Sequence, residues 1–314
     1  MLSTSPRLTH FDVTIGFKAV SLTERTHTRA YEAILPTCPE LSRDGKKVLL
    51  TGGTGGIVYA IARSFGVAGA NKVIITGRSE ERLKSAVKGL IGEVKAIDAK
   101  SQTKYEGRVC QIAEPSSISA LFDGLSKENT YVDVLVLSAA CIGQGKITDQ
   151  TWEDIWEQLI VNVRSIHQFH NLFEKQPRIG ARTRYIINIS SSARHHYTAG
   201  VDAGVYTLTK NSAALLLQKI ADETDPSKTQ IINFHPGSIL GIRIRELGLA
   251  ADSASWDHED LPGSFAVWAS FPEAAFLHGR FAWAACDVEE LKSEPLREKL
   301  EKDETFLKVT VEGL

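Results

Sequence analysis

At 314 residues, with 43% hydrophobic and 24% charged side chains, the chain is long enough for one large α/β core or two small domains. Its net charge of −2 gives no electrostatic reason to expect nucleic acid or an anionic membrane as a partner, which leaves a small neutral or weakly charged substrate open. Cys38, Cys110, Cys141 and Cys286 lie far apart with no CxxC or metal-ligand spacing, so the sequence offers neither a zinc site nor a disulfide framework and fits a reducing compartment.

Met1 to Thr14 interleaves Arg7, His10 and Asp12 with short apolar pieces, unlike a secretory leader, and no later window approaches the ~18 uninterrupted apolar residues of a membrane span. The expectation is a cytoplasmic protein with no membrane partner. Residues 1–46 fit no βαβ unit and carry Pro36, Pro39 and little periodicity, so they read as an arm wrapping the domain or a neighbouring subunit, or else as disordered.

From Lys47 onward short β-branched runs alternate with amphipathic stretches, the pattern of βαβ units and a parallel sheet. The runs are Val48–Leu50, Val73–Ile75, Val109–Ile112, Val132–Leu137, Tyr185–Ile189 and Ile231–Phe234; six strands at this spacing point to one domain, residues 47–288. Between them, Glu80–Ile91 and Ser117–Leu125 each place apolar residues on one helical face, and Thr151–Phe173 and Val205–Ala221 read as long helices. Residues 238–262 mix Gly, Ser, Asp and isolated apolar residues, as expected of a substrate loop. Residues 289–314 read as a C-terminal helix and tail, with Glu289–Lys302 charged and solvated.

The first run leads into Thr51-Gly52-Gly53-Thr54-Gly55-Gly56-Ile57, a glycine-rich turn followed by a helix. Such a turn lets backbone N–H groups and the positive end of a helix dipole meet a pyrophosphate without Cβ obstruction. Farther on, Tyr206-Thr207-Leu208-Thr209-Lys210 is a YxxxK motif, whose i, i+4 spacing puts both side chains on one helical face. There the ammonium can stabilise a tyrosinate and lower the phenol's pKa. The preceding strand ends in Ser190-Ser191-Ser192, 14 to 16 residues before Tyr206, and Ile160-Val161-Asn162-Val163 lies upstream in a predicted helix.

Taken in chain order, these segments resemble the short-chain dehydrogenase/reductase family over about Lys47 to Asp287, with Thr51-Gly52-x-x-x-Gly56 standing for the TGxxxGxG fingerprint. The resemblance implies a single-domain Rossmann-type doubly wound parallel sheet, here with an N-terminal arm. It also implies a nicotinamide cofactor and a small-molecule carbonyl or alcohol substrate. In the catalytic set, Tyr206 would be the proton donor and Lys210 would hold the nicotinamide ribose. Asn162 would hold a relay water, and a serine would polarise the carbonyl. Ser191 matches best by its place in the Asn-Ile-Ser-Ser run, with Ser192 open as the alternative. Cofactor contacts would come from Thr51, Gly52, Thr54, Gly56, Ile57, Arg78, Gln111, Ala139, Tyr206, Lys210, Pro236, Gly237 and Ile239. The family's paired long helices imply a homodimer or homotetramer.

Several positions depart from the family pattern. Val58 replaces the last fingerprint glycine and implies a slightly displaced helix; Leu137-Ser138-Ala139-Ala140 replaces NNAG; Gln111 replaces an aspartate; and Gly241 replaces a threonine after Pro236-Gly237. These changes motivate an alternative, a redox-neutral or non-catalytic member acting as cyclase, isomerase or metabolite-binding module. The end of the second run, Ile75-Thr76-Gly77-Arg78, lacks the acidic residue that selects NAD, and Arg78 stands where a guanidinium would pair with a 2′-phosphate, so NADP(H) is expected even though Gly55 adds no second basic residue. Pro36–Ser42 and Gly279–Ala284 further resemble a fungal subgroup tied to secondary metabolism. His195-His196 have no third ligand, so no metal is expected, and Trp152 and Trp156 read as core or subunit-interface residues.

Overall fold

Alternate residues of each inner strand serve two different cores. In the computed structural model, which describes residues 22–143, 145–180, 182–192, 204–241, 245 and 248–311, Val48 and Leu50 point to one apolar cluster and Leu49 to the other. Strand side chains alternate with period two, so a sheet covered on both faces needs runs that are apolar throughout. The strands are β1 Lys47–Leu50, β2 Lys72–Gly77, β3 Lys104–Val109, β4 Val134–Leu137, β5 Arg184–Ile189, β6 Thr229–His235 and β7 Phe281–Trp283. All pair in parallel in the order β3-β2-β1-β4-β5-β6-β7, a Rossmann-like doubly wound sheet.

On one face lie α1 Gly56–Val67 and α2 Glu80–Ile97, burying Ile61, Phe65, Leu83 and Leu90. The other face is covered by α3 Pro115–Lys127, by α4 Trp152–Leu159 running through a π turn at Ile160–Arg164 into α5 Ser165–Lys175, and by α6 Gly204–Asp222. A further helix, α7 Asp260–Ala269, joins the first face and packs closely on α1, because Gly263 lacks the Cβ that would stand 2.4 Å from Ser64 Oγ. Among the described residues no helix is long and apolar enough to cross a membrane.

Three sequence expectations are corrected. The third strand is Lys104–Val109 rather than Val109–Ile112: at the sheet edge its side chains are charged and partly exposed, so it shows no apolar run. A seventh strand, three residues long, was not anticipated. The C-terminal helix is two short helices, α8 Val288–Lys292 and α9 Leu296–Lys302, separated around Pro295, and they bury Val288, Leu291 and Leu300 rather than lying wholly in solvent.

From Leu22 onward the arm packs on its own chain. Thr26 bridges Cys286, His27 Nε2 lies 2.8 Å from Asp287 Oδ2, the Tyr31 hydroxyl donates to Cys286 O and accepts from Val288 N, and Ile34 and Leu41 enter the first core. Residues 1–21, the His195-His196 pair and part of the expected substrate loop lie outside the described residues.

Candidate active site

The glycine turn between β1 and α1 is shaped by backbone angles that favour glycine. Gly52, Gly53 and Gly56 have φ of +82°, +136° and +62°, and a Cβ on Gly53 would sit 2.7 Å from Ile75 Cβ. Over Gly55 and Gly56 nothing lies within 4 Å of an added Cβ, so the N-terminal turn of α1 opens to solvent with its N–H groups and dipole facing outward. That cradle fits a pyrophosphate. Two threonines brace it: Thr51 Oγ1 accepts from Ser138 N (2.9 Å) and Ala139 N (3.2 Å), and Thr76 Oγ1 accepts from Gly52 N (3.2 Å) while donating to Leu50 O (3.1 Å). Val58 is buried beside Gly52 at ordinary contact distance.

Thr54 lies exposed on this turn and Ile57 is half-buried in the first turn of α1. At the end of β2, Arg78 is exposed and makes no hydrogen bond or ion pair with the described residues, which leaves its guanidinium available. Thr54 and Leu83 close in on Gly77, where their methyl carbons would stand 3.3 and 3.4 Å from an added Cβ. Gln111 accepts from Glu114 N through its carbonyl and donates its N–H to Ser117 Oγ, leaving its side chain exposed, and Ala139 is half-buried next to the turn.

Beyond the end of β5, Tyr206 and Ser191 share a side-chain hydrogen bond, so the chain brings together the tyrosine and one of the two candidate serines. Ser191 is half-buried, whereas Ser192 is buried. The protein packed around the phenol pushes its pKa up, and the bond to Ser191 only partly offsets this, so the lowering expected from Lys210 does not prevail. Lys210 Nζ donates to Ile189 O at 2.9 Å, lies 5.8 Å from the Tyr206 ring centre, and is held by burial at a pKa of about 8.

Asn162 sits in the π turn, a geometry often found at functional sites. Its Oδ1 accepts from Cys141 N (2.7 Å), and Nδ2 donates to Cys141 O (2.8 Å) and Thr209 Oγ1 (2.9 Å). Both amide protons are therefore used within the protein, so the Asn162 side chain braces the segment after β4. Thr209 passes the brace on by donating to Tyr206 O at 2.9 Å, tying the segment after β4 to the turn of α6 that carries the tyrosine.

After β6 the chain turns at Pro236-Gly237, with Gly237 at φ +95°. Asp257 clamps this turn: its Oδ2 accepts from Ser238 N at 2.6 Å, its own N donates to Ser238 O, and Ile239 bridges it. A Cβ on Gly237 would stand 2.6 Å from that carboxylate oxygen, and burial raises the carboxyl's pKa. Sequence reasoning missed Thr76, Thr209, His235 and Asp257, since none stands at a sequence spacing tied to its partner. Trp152 and Trp156 stack with ring centres 5.9 Å apart and are 63% and 52% exposed, so they are not core residues.

The model of the short chain dehydrogenase family matches residues 46–246. This chain belongs to that family. It is 32% identical over 274 residues to the short chain dehydrogenase/reductase nsrO of Aspergillus novofumigatus, covering 84% of this chain and 88% of the relative. It is also 29% identical over 205 residues to the granaticin polyketide synthase putative ketoacyl reductase 1 of Streptomyces violaceoruber, covering 63% and 70%. A Burkholderia cenocepacia short chain dehydrogenase, solved in complex with NADP, shares the fold with a TM-score of 0.65 at 22% identity, covering 77% of this chain and 96% of that one. The chain is thus an oxidoreductase of a nicotinamide-dependent family.

Proposed function

We propose that this short-chain dehydrogenase uses NADP(H) to interconvert a ketone and a secondary alcohol in the biosynthesis of a secondary metabolite. The observation that carries the reading is the Ser191–Tyr206 hydrogen bond, with the buried Lys210 on the same helical face. Thr51, Gly52, Thr54, Gly56 and Ile57 would hold the pyrophosphate of the cofactor. Arg78, Gln111 and Ala139 would take its adenosine half, and Tyr206, Lys210, Pro236, Gly237 and Ile239 its nicotinamide half. When bound, NADPH supplies the hydride.

The chain's own residues do the proton work. Ser191 Oγ donates a hydrogen bond to the substrate oxygen, and Tyr206 gives that oxygen its proton. A phenol whose pKa is raised stays protonated at neutral pH, the form needed for reduction. As the proton leaves, the Lys210 ammonium stabilises the negative charge left on Tyr206. Asn162, through Thr209, holds the tyrosine's turn in place. The granaticin relative, named as a ketoacyl reductase, supports carbonyl chemistry and a biosynthetic setting. The reading includes a cytoplasmic location. In an assembly of two or four copies, Trp152 and Trp156 with the exposed Leu208 and Leu215 of α6 would be covered, which sedimentation reads directly.

The test is a panel of ketones with NADPH and the two serine variants side by side. Ser191→Ala is expected to lose ~10²-fold or more in kcat, the range for removing a donor to a developing oxyanion, and Ser192→Ala far less. Equal small losses would remove Ser191 from the mechanism. For cofactor choice, one charge-assisted contact worth ~1.5–3 kcal/mol predicts a preference for NADPH over NADH on the order of tenfold or more. Arg78→Ala should weaken NADPH binding and leave NADH binding nearly unchanged by titration. Equal weakening of both, or an NADH preference in the unaltered protein, would show that Arg78 does not read the 2′-phosphate.

A further inference from the structure

β5 and β6 pair up to Ile189 and Phe234, and the last backbone bond of their ladder runs from Ser190 N to Phe234 O at 2.8 Å. In a parallel ladder the next donor along the strand is the N–H two residues on, Ser192 N, and its partner would be the carbonyl of residue 236. The chain leaves the sheet there, at Pro236-Gly237. Ser192 N donates instead to a side chain, His235 Nδ1, at 3.2 Å. The imidazole is buried, stands edge-on to Trp283 with ring centres 4.8 Å apart, and belongs to a residue whose carbonyl accepts from Ala284 N of the β7 segment.

We infer that His235 is a positioning residue for Ser191: its ring replaces the missing ladder carbonyl and fixes the backbone on the far side of the serine. Ser191 is then held from both sides, through Ser190 N on Phe234 O and Ser192 N on His235 Nδ1, while Lys210 Nζ grips Ile189 O just before them. Because Nδ1 accepts a backbone proton, the ring is neutral with its proton on Nε2. β7, with Trp283 against the ring, serves the site from outside it. The inference rests on Ser191 acting on the substrate carbonyl as proposed above.

The test pairs His235→Asn, whose amide oxygen can stand near the Nδ1 position, with His235→Leu, which offers no acceptor. His235→Leu is expected to lower kcat ~10–100-fold, the scale of a small misplacement of a reacting group, with the KM for NADPH within about twofold of the parent. His235→Asn should return kcat to within about fivefold of the parent. Equal losses in both variants, or a change confined to KM, overturn the inference. Nitrogen-15 histidine spectra add a readout independent of turnover and of whether the leucine variant folds. The resonance that disappears in His235→Asn should show the Nε2–H tautomer with an accepting Nδ1, and an Nδ1–H signature overturns the inference. A parent protein that reduces no carbonyl would instead sink the proposed function, with the tautomer still reporting on His235.

Discussion

Tyr206→Phe is expected to lower kcat for carbonyl reduction at least ~100-fold, the lower range for losing a general acid, with the fold retained. The phenyl ring keeps its packing on α6, and among the described residues the bond lost is the one shared with Ser191, worth about 1 kcal/mol, so the melting temperature should move by a few degrees at most. The loss should appear in kcat and in kcat/KM for the carbonyl alike, since the proton moves only in the transition state. NADPH binding should weaken far less than turnover, because one cofactor contact is lost while Lys210 keeps its place on Ile189 O. A variant turning over at a third of the parental rate would reject Tyr206 as the donor.

Most of the sheet was legible because its strands are buried on both faces: Val48 to Leu50 and Val134 to Leu137 are uninterrupted apolar runs, and Tyr185 to Ile189 is broken only by Asn188, which bonds Asn233 on the neighbouring strand. β3 broke the rule at the edge, where Lys104, Glu106 and Arg108 stay charged and Glu106 pairs with Lys72 on the neighbouring strand at 2.6 Å. β7 was hidden by brevity, and the split in the C-terminal helix by a charged composition that runs through both halves on either side of Pro295. In the site, the tyrosine, lysine, glycines and serines stand at spacings that backbone geometry dictates, so a reader of the sequence can find them. The braces obey no spacing. Thr209 meets Asn162 and Asp257 meets Ser238 only after the chain has folded, and His235 takes its role from a turn two residues later. In the Tyr206–Lys210 pair the i, i+4 spacing tells of proximity but not of burial, which raises the phenol's pKa and lowers the lysine's, while one of the three Nζ protons goes to Ile189 O.

Lys210→Met is expected to weaken NADPH binding and to lower turnover ~100-fold or more, because one side chain is assigned both to the nicotinamide ribose and to the charge left on Tyr206. A variant defective in only one of the two would show that the dual role is wrong. The same lysine makes the rate and the stability respond to pH in opposite directions. Burial lowers its pKa from the usual 10.5 to about 8, so the ammonium is largely present at neutral pH and disappears as pH rises through about 8. In the parent, kcat/KM for reduction should fall over that range, as this ratio reports groups of the free enzyme. Stability follows from proton counts. Between about 8 and 10.5 the unfolded lysine binds a proton that the folded one has released, so the parent gains stability over Lys210→Met as pH rises through this window. The gain is on the order of 3 kcal/mol, being two to three pKa units at 1.36 kcal/mol each. Below about 8 the difference between the two proteins should be flat, and it should include the cost of keeping a charge out of water. Denaturant titrations of both proteins at several pH values measure the difference directly. A difference that does not change between pH 8 and 10.5 would mean that Lys210 is not held in a low-dielectric setting, and that its charge serves the site at no cost to the fold.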